Sequence, residues 1–219
     1  MLSTELKKTV YLVRHGQSDD NIAPVFQAYD SPLSAKGRGQ AEQVASRIEH
    51  LDFEALISSP QVRAKQTAEA ISLKTNIQTE ISDLFVERIK PTSINGKSYD
   101  DPHARSTWRE WEKSLVSIGR KVEDGENYDD MVVRADKALR YLEMRDEKTI
   151  VVVSHGHFIR ALIARTLLGT ELNPVSLKRF YDLVSIENTG ITVLHFRTAY
   201  EEPACWRLWS LNDHAHFAE

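Results

Sequence analysis

Thr9-Val10-Tyr11-Leu12-Val13-Arg14-His15-Gly16 and Thr149-Ile150-Val151-Val152-Val153-Ser154-His155-Gly156 share one pattern, an apolar and largely β-branched run that ends in His-Gly. Short continuous runs of this kind predict strands buried on both faces, the mark of a parallel sheet. The two histidines stand 140 positions apart. In an open parallel sheet, however, ligands collect in the crevice beyond the carboxyl ends of the strands, so residues leaving two such ends can face each other. A glycine after each histidine allows a tight turn and a close approach of backbone to ligand. One histidine at a strand end is more often structural than functional; two in matched contexts point to a site.

A third run, Ala55-Leu56-Ile57, leads through Ser58-Ser59-Pro60 towards Arg63. Between the runs lie helical patterns. Ala41, Val44, Ala45 and Ile48 share a face after a possible N-cap at Ser34; Ala64, Ala68 and Ile71 share another; Val132, Ala135, Leu139 and Leu142 form a third; and a further helix is expected after Gly156 through Leu162 and Ile163. Gly190 to Phe196 alternates like a strand. Strand and helix in alternation predict an α/β fold, a three-layer α/β/α sandwich around a mostly parallel sheet. From Arg88 to about Tyr128 the pattern is broken by Pro91, Gly96, Pro102, Gly119 and Gly125, which predicts an inserted cap over residues 88–128 within a single domain spanning 1–219. Trp108, Trp111, Leu115 and Ile118 are spaced 3, 4 and 3 apart, so one helical face would pack the cap onto the core.

Composition narrows the function. The 219 residues are 41% hydrophobic with only 9 Gly and 7 Pro, which excludes a disordered or collagen-like chain. A net charge of −4 argues against a sequence-blind grip on nucleic acid. Neither a secretory-type apolar leader nor a membrane-spanning run is present in the sequence, and the single Cys205 cannot form an internal disulfide; a cytoplasmic protein is expected. His155-Gly156-His157 and His214-Ala215-His216 lack the i, i+4 spacing or the accompanying ligands of a zinc site. Trp206 and Trp209 are assigned to packing. Arg14 beside one histidine and Arg63 at a helix start add guanidinium forks that match phosphate oxygens, and helix amino termini add amides. A phosphate pocket follows.

These residues carry a resemblance. Arg14-His15-Gly16-Gln17-Ser18 with Asn21, then Ser31-Pro32-Leu33-Ser34 with Gly37 and Gln40-Ala41, then Ser58-Ser59-Pro60 through Arg63-Ala64 and Gln66-Thr67-Ala68, and finally Ser154-His155-Gly156 resemble, in order, the blocks of the histidine phosphatase superfamily, in its phosphoglycerate mutase-like branch. Gly125-Glu126 with Arg134, and Asn188-Thr189-Gly190-Ile191, are similar to weaker blocks. The resemblance implies phosphomonoester hydrolysis without a metal or other cofactor, on a small phosphorylated substrate. His15 would be the nucleophile that forms a phosphohistidine. Arg14, Arg63 and a protonated His155 would hold the phosphoryl oxygens, with Asn21 assisting. A carboxylic acid must protonate the leaving alkoxide, and the family context places it at Glu87, in Leu84-Phe85-Val86-Glu87-Arg88, with Asp83 and Glu80 as alternatives. A mutase shares the first half-reaction; the mutases compared tend to carry a longer, more basic cap, which favours a hydrolase here. A non-catalytic phospho-ligand binding module is a third reading, disfavoured because every core catalytic side chain is present. Oligomeric state is not legible in the sequence.

Overall fold

The computed structural model describes residues 5–199 and 202–217. Six strands, β1 (Leu6–Arg14), β2 (Ala55–Ser58), β3 (Thr79–Ile81), β4 (Thr149–Ser154), β5 (Ile191–Ala199) and β6 (Glu202–Asp213), form one sheet in the order β3-β2-β4-β1-β5-β6. The first four are parallel; β5 pairs antiparallel with β1, and β6 antiparallel with β5. Six α-helices accompany them: α1 (Ala35–Ile48), α2 (Val62–Thr75), α3 (Pro102–Ser114), α4 (Tyr128–Met144), α5 (Gly156–Leu168) and α6 (Pro174–Leu183).

The layers follow from the period of two along each strand, which sends alternate side chains to opposite faces. Val10, Leu12, Ile150 and Val152 join one apolar cluster with α4, α5 and α6. Val13, Val151 and Val153 join a second with α1 and α2. Each of these strand residues is fully buried, so the continuous β-branched runs are those of strands covered on both sides, and the α/β/α sandwich stands. Burying each such side chain contributes roughly 1.5–3 kcal/mol, which makes β1 and β4 a stiff base for whatever leaves their ends.

Local signals set the helix starts. The Ser34 hydroxyl accepts from the Gly37 N–H and caps α1, and Asn127 and Asn173 cap α4 and α6 in the same way. One expectation fails. The helix carrying Trp108 and Trp111 stops at Ser114: the Leu115 N–H turns back to the carbonyls of Glu112 and Lys113, Gly119 adopts a positive φ, and Ile118 is exposed beyond the helix. Trp108 instead stacks on Phe26, and Trp111 is buried beside it. Trp206 packs partly against the core, whereas Trp209 is exposed and stacks on His195. Among the described residues no helix is long and apolar enough to cross a membrane.

Candidate active site

In the pairing of β1 with β4, Arg14 lies opposite Ser154, so His15 and His155 leave adjacent strands at the same level. Their rings come within 4.9 Å, centroid to centroid. The His15 N–H donates to the Ser154 carbonyl at 3.0 Å and the Ser59 N–H to Val153 at 3.0 Å, extending the sheet one residue past three parallel strands. Both histidines are buried.

Neighbours decide the protonation of His15. Its Nδ1 lies 2.6 Å from the Gly16 carbonyl oxygen, which can only accept, so Nδ1 carries the hydrogen and Nε2 the lone pair. That Nε2 faces the Arg63 Nε–H at 3.2 Å. Burial first, then the charges of Arg63 and Arg14, hold the imidazole well below its usual pKa. The ring is thus neutral, with its free nitrogen on a guanidinium. Asn188 clamps the backbone by donating from Nδ2 to the His15 carbonyl at 2.9 Å, and the Gly16 N–H donates to Thr67 Oγ1 at 3.1 Å.

Burial, the charge of Arg63 and the presence of His15 push the His155 pKa well down, so in the substrate-free site the ring is neutral. Ser59 Oγ accepts from the Gln61 N–H at 3.3 Å and lies 2.8 Å from His155 Nε2. The other ring nitrogen, Nδ1, is buried and without a partner. Arg14 Nε is in the same condition, while its Nη1 donates to the Ile186 carbonyl at 2.5 Å. Arg63, far from lying on a helix surface, is among the largest fully buried side chains, its pKa lowered by burial to about 10.

Glu87 reaches this group from the other side. Ser154 Oγ donates to the Phe85 carbonyl at 2.7 Å and ties the segment to the end of β4; the Glu87 N–H donates to Gln61 Oε1 at 2.9 Å. The carboxylate sits on the first turn of α5, accepting from the N–H groups of His157 at 3.3 Å and Phe158 at 3.1 Å, and from Arg88 N–H at 2.9 Å. A helix amino terminus favours negative charge. Burial works against ionisation here, but the adjoining His157 ring at 3.5 Å and the backbone donor of Arg88 outweigh it and hold Glu87 well below the usual carboxylate range. Glu80 is taken up by Tyr141 and Arg145 on the outer edge of the sheet. Asp83 is exposed at the rim of a cavity of about 870 Å³ that Glu87 also lines. Asn21 ends a single 3-10 turn, exposed, with its Oδ1 accepting from the Ser18 N–H at 3.0 Å; no hydrogen bond joins it to the histidines or arginines.

Ser59, Gln61, Thr67 and Asn188 support the site, yet sequence reasoning gave none of them that part. Ser59, Thr67 and Asn188 stood inside quoted motif blocks, the one signal available; their contacts span many residues and are visible only in the fold. The Glu126 carboxylate pairs with Arg134 at 2.7 Å, and Arg134 also donates to the carbonyls of Leu84 and Val86, bracing the segment before Glu87.

A doubly covered sheet with two neutral histidines, two buried guanidiniums and a carboxylate at its carboxyl edge defines a phosphoryl-transfer enzyme. The family model of the histidine phosphatase superfamily (branch 1) matches residues 10–208, and the chain belongs to that superfamily. A protein named as a probable phosphatase in Schizosaccharomyces pombe is 35% identical over 204 residues, covering 86% of this chain and 68% of the relative. The Escherichia coli protein named as a probable phosphoglycerate mutase, GpmB, is 32% identical over 167 residues, 73% of this chain and 74% of its own. Among solved structures, a mycobacterial glucosyl-3-phosphoglycerate phosphatase in complex with VO3 aligns with a TM-score of 0.70 at 24% identity, over 94% of this chain and 98% of that one. A phosphoserine phosphatase mutant from Entamoeba histolytica, in complex with phosphoserine, aligns with 0.72 at 24% identity, over 96% and 99%. These last two bear on the fold. The family, the fold class and the phosphatase class expected from sequence all agree with these findings.

Proposed function

We propose that this histidine phosphatase hydrolyses small phosphomonoesters through a phosphohistidine at His15 Nε2, with Arg14, Arg63 and His155 holding the phosphoryl oxygens. One observation carries the reading: two of the buried polar atoms that lack a partner, Arg14 Nε and His155 Nδ1, belong to this one site. Leaving such a buried polar atom unmet costs about 1–3 kcal/mol, and a phosphoryl group satisfies both, its oxygens accepting from the Arg14 Nε–H and from a His155 that carries its hydrogen on Nδ1. His15 Nε2 forms a bond to phosphorus as the ester P–O bond breaks, and the Glu87 carboxylic acid gives its proton to the departing alkoxide. Because Glu87 is ionised in the free enzyme, that proton enters with the substrate monoanion. Glu87 then takes a proton from the water that attacks phosphorus, releasing inorganic phosphate and restoring His15. Asn21 is assigned a lesser part at the phosphate, through its exposed amide.

Residues 88–128 serve as a cap over the cavity beside Glu87 and select the alcohol. Hydrolysis is favoured over mutase chemistry by the short cap, and the single cysteine supports action in the cytoplasm. The test is to quench turnover of a phosphomonoester without acid and look for an acid-labile, base-stable phosphoryl adduct. Its place on His15, its loss in a folded His15→Ala and the release of free phosphate are expected. An adduct on His155 or a serine, or transfer to a second hydroxyl without free phosphate, would overturn the assignment.

A further inference from the structure

Lys90 lines the cavity beside Glu87 and Gln61. Three other cations on that wall are matched: buried Arg88 with Glu112 at 3.1 Å, partly buried Arg134 with Glu126 at 2.7 Å, and exposed Lys121 with Asp130 at 2.5 Å. Lys137 is exposed on α4. Among the described residues, Lys90 has neither a hydrogen bond nor an ion pair, although it is not exposed. An ammonium taken from water without a counter-ion costs free energy that an anionic ligand returns.

Its place says which half of the substrate bears that anion. Buried Arg14, Arg63 and His155 take the phosphoryl group, whereas Lys90 opens onto the space shared with Glu87, where the leaving alcohol must lie to receive its proton. Resting on the phosphatase reading above, we propose that Lys90 binds a carboxylate on the alcohol half of the substrate, so that the enzyme prefers phosphorylated hydroxy acids to phosphorylated polyols. A singly charged group suits a single unmatched ammonium; a second phosphoryl dianion would also meet the carboxylates of Glu87 and Asp83, which share the cavity. Burial first and then the Arg63 charge, opposed by Glu87 and Asp20, draw the Lys90 pKa down to about 8. This is the behaviour of a cation that lacks a close partner.

3-Phosphoglycerate and glycerol 3-phosphate make a matched pair of probes, because they differ in a carboxylate against a hydroxymethyl group. A hydrogen bond to a charged group makes a difference of about 10–100-fold, so the native enzyme is expected to favour 3-phosphoglycerate by that factor in kcat/KM. Lys90→Met is expected to bring the ratio close to one, mainly through KM for 3-phosphoglycerate, and Lys90→Arg to restore most of it. Lys90→Gln serves where the methionine variant does not fold. A native ratio near one, or a ratio unchanged in Lys90→Met or Lys90→Gln because both substrates suffer alike, would overturn the proposal. So would cleavage of p-nitrophenyl phosphate with neither probe accepted, although the phosphatase reading would then stand. If none of the three is cleaved, that reading falls, and the proposal with it.

Discussion

The carboxylate of Glu87 works against its own resting state. As the proposed general acid it must hold a proton, yet the first turn of α5 and the His157 ring stabilise its ionised form, so each productive encounter must deliver one. Two outcomes follow. In Glu87→Gln, hydrolysis of an alkyl phosphate should fall by about 10²–10⁴-fold, the usual contribution of general acid catalysis. For p-nitrophenyl phosphate, whose leaving group departs unaided, a burst of p-nitrophenol followed by slow turnover is expected, since in the proposed mechanism the same carboxylate activates water in the second step. Equal small losses with both substrates and no burst would remove Glu87 from the chemistry. The second outcome concerns pH. His15 is held well below its usual pKa, so acidification through the ordinary imidazole range does not protonate the proposed nucleophile. Over the same range the phosphomonoester, with a second pKa of about 6, becomes the monoanion that brings the proton. The kcat/KM for an alkyl phosphate should therefore rise as pH falls across this window; a decline with a midpoint near 6.5 would mean that His15 titrates normally.

Elements position this chemistry through close backbone contact more than through side-chain packing. The turn after β1 presses on the first turn of α1: a Cβ on Gly37 would lie 1.8 Å from the Gln17 carbonyl oxygen, and one on Gly16 2.5 Å from that of Gly37. The same turn bears the Gly16 carbonyl that sets the tautomer of His15. Gly37→Ala must push the two segments apart, at an overpacking cost of about 1–3 kcal/mol. Chemical denaturation should show that loss, with kcat reduced as well because the Gly16 carbonyl shifts. Unaltered stability and turnover would show that the contact has no part in holding the nucleophile. On the opposite side, the loop before β5 binds the same strand end: the Arg14 N–H donates to the Gly190 carbonyl, the Thr189 N–H to that of Arg14, and Asn188 to that of His15.

For the molecule as a whole, the proposed mechanism leaves charge compensation at the transition state to side chains brought from α2 and two strand ends, by electrostatic preorganisation. Excess chelator should accordingly leave phosphate release unchanged, measured on enzyme dialysed against it. Activity lost to chelator and regained with one divalent ion would contradict this account.

The runs at 10–13, 55–57 and 150–153, the Ser34 cap and the faces of α1, α2 and α4 were all legible because burial in strands and helices repeats with a short local period. The duplicated His-Gly ending marked the site for the same reason, as a local pattern seen twice. Antiparallel β6 and helix α6 escaped notice: the edge strand exposes Cys205, Arg207 and Trp209, and α6 is only 10 residues long and exposes Val175 and Leu183, which blurs its apolar face. Charge states belonged to the tertiary structure alone. Arg63 reaches His15 across 48 positions and Asn188 across 173, and the neutrality of both histidines, the ionisation of Glu87 and the solitary ammonium of Lys90 arise from desolvation and partners that only the folded chain assembles. A sequence carries the residue types able to do this chemistry; which nitrogen is free, and which charge lacks its counterpart, is decided by what the fold packs around them.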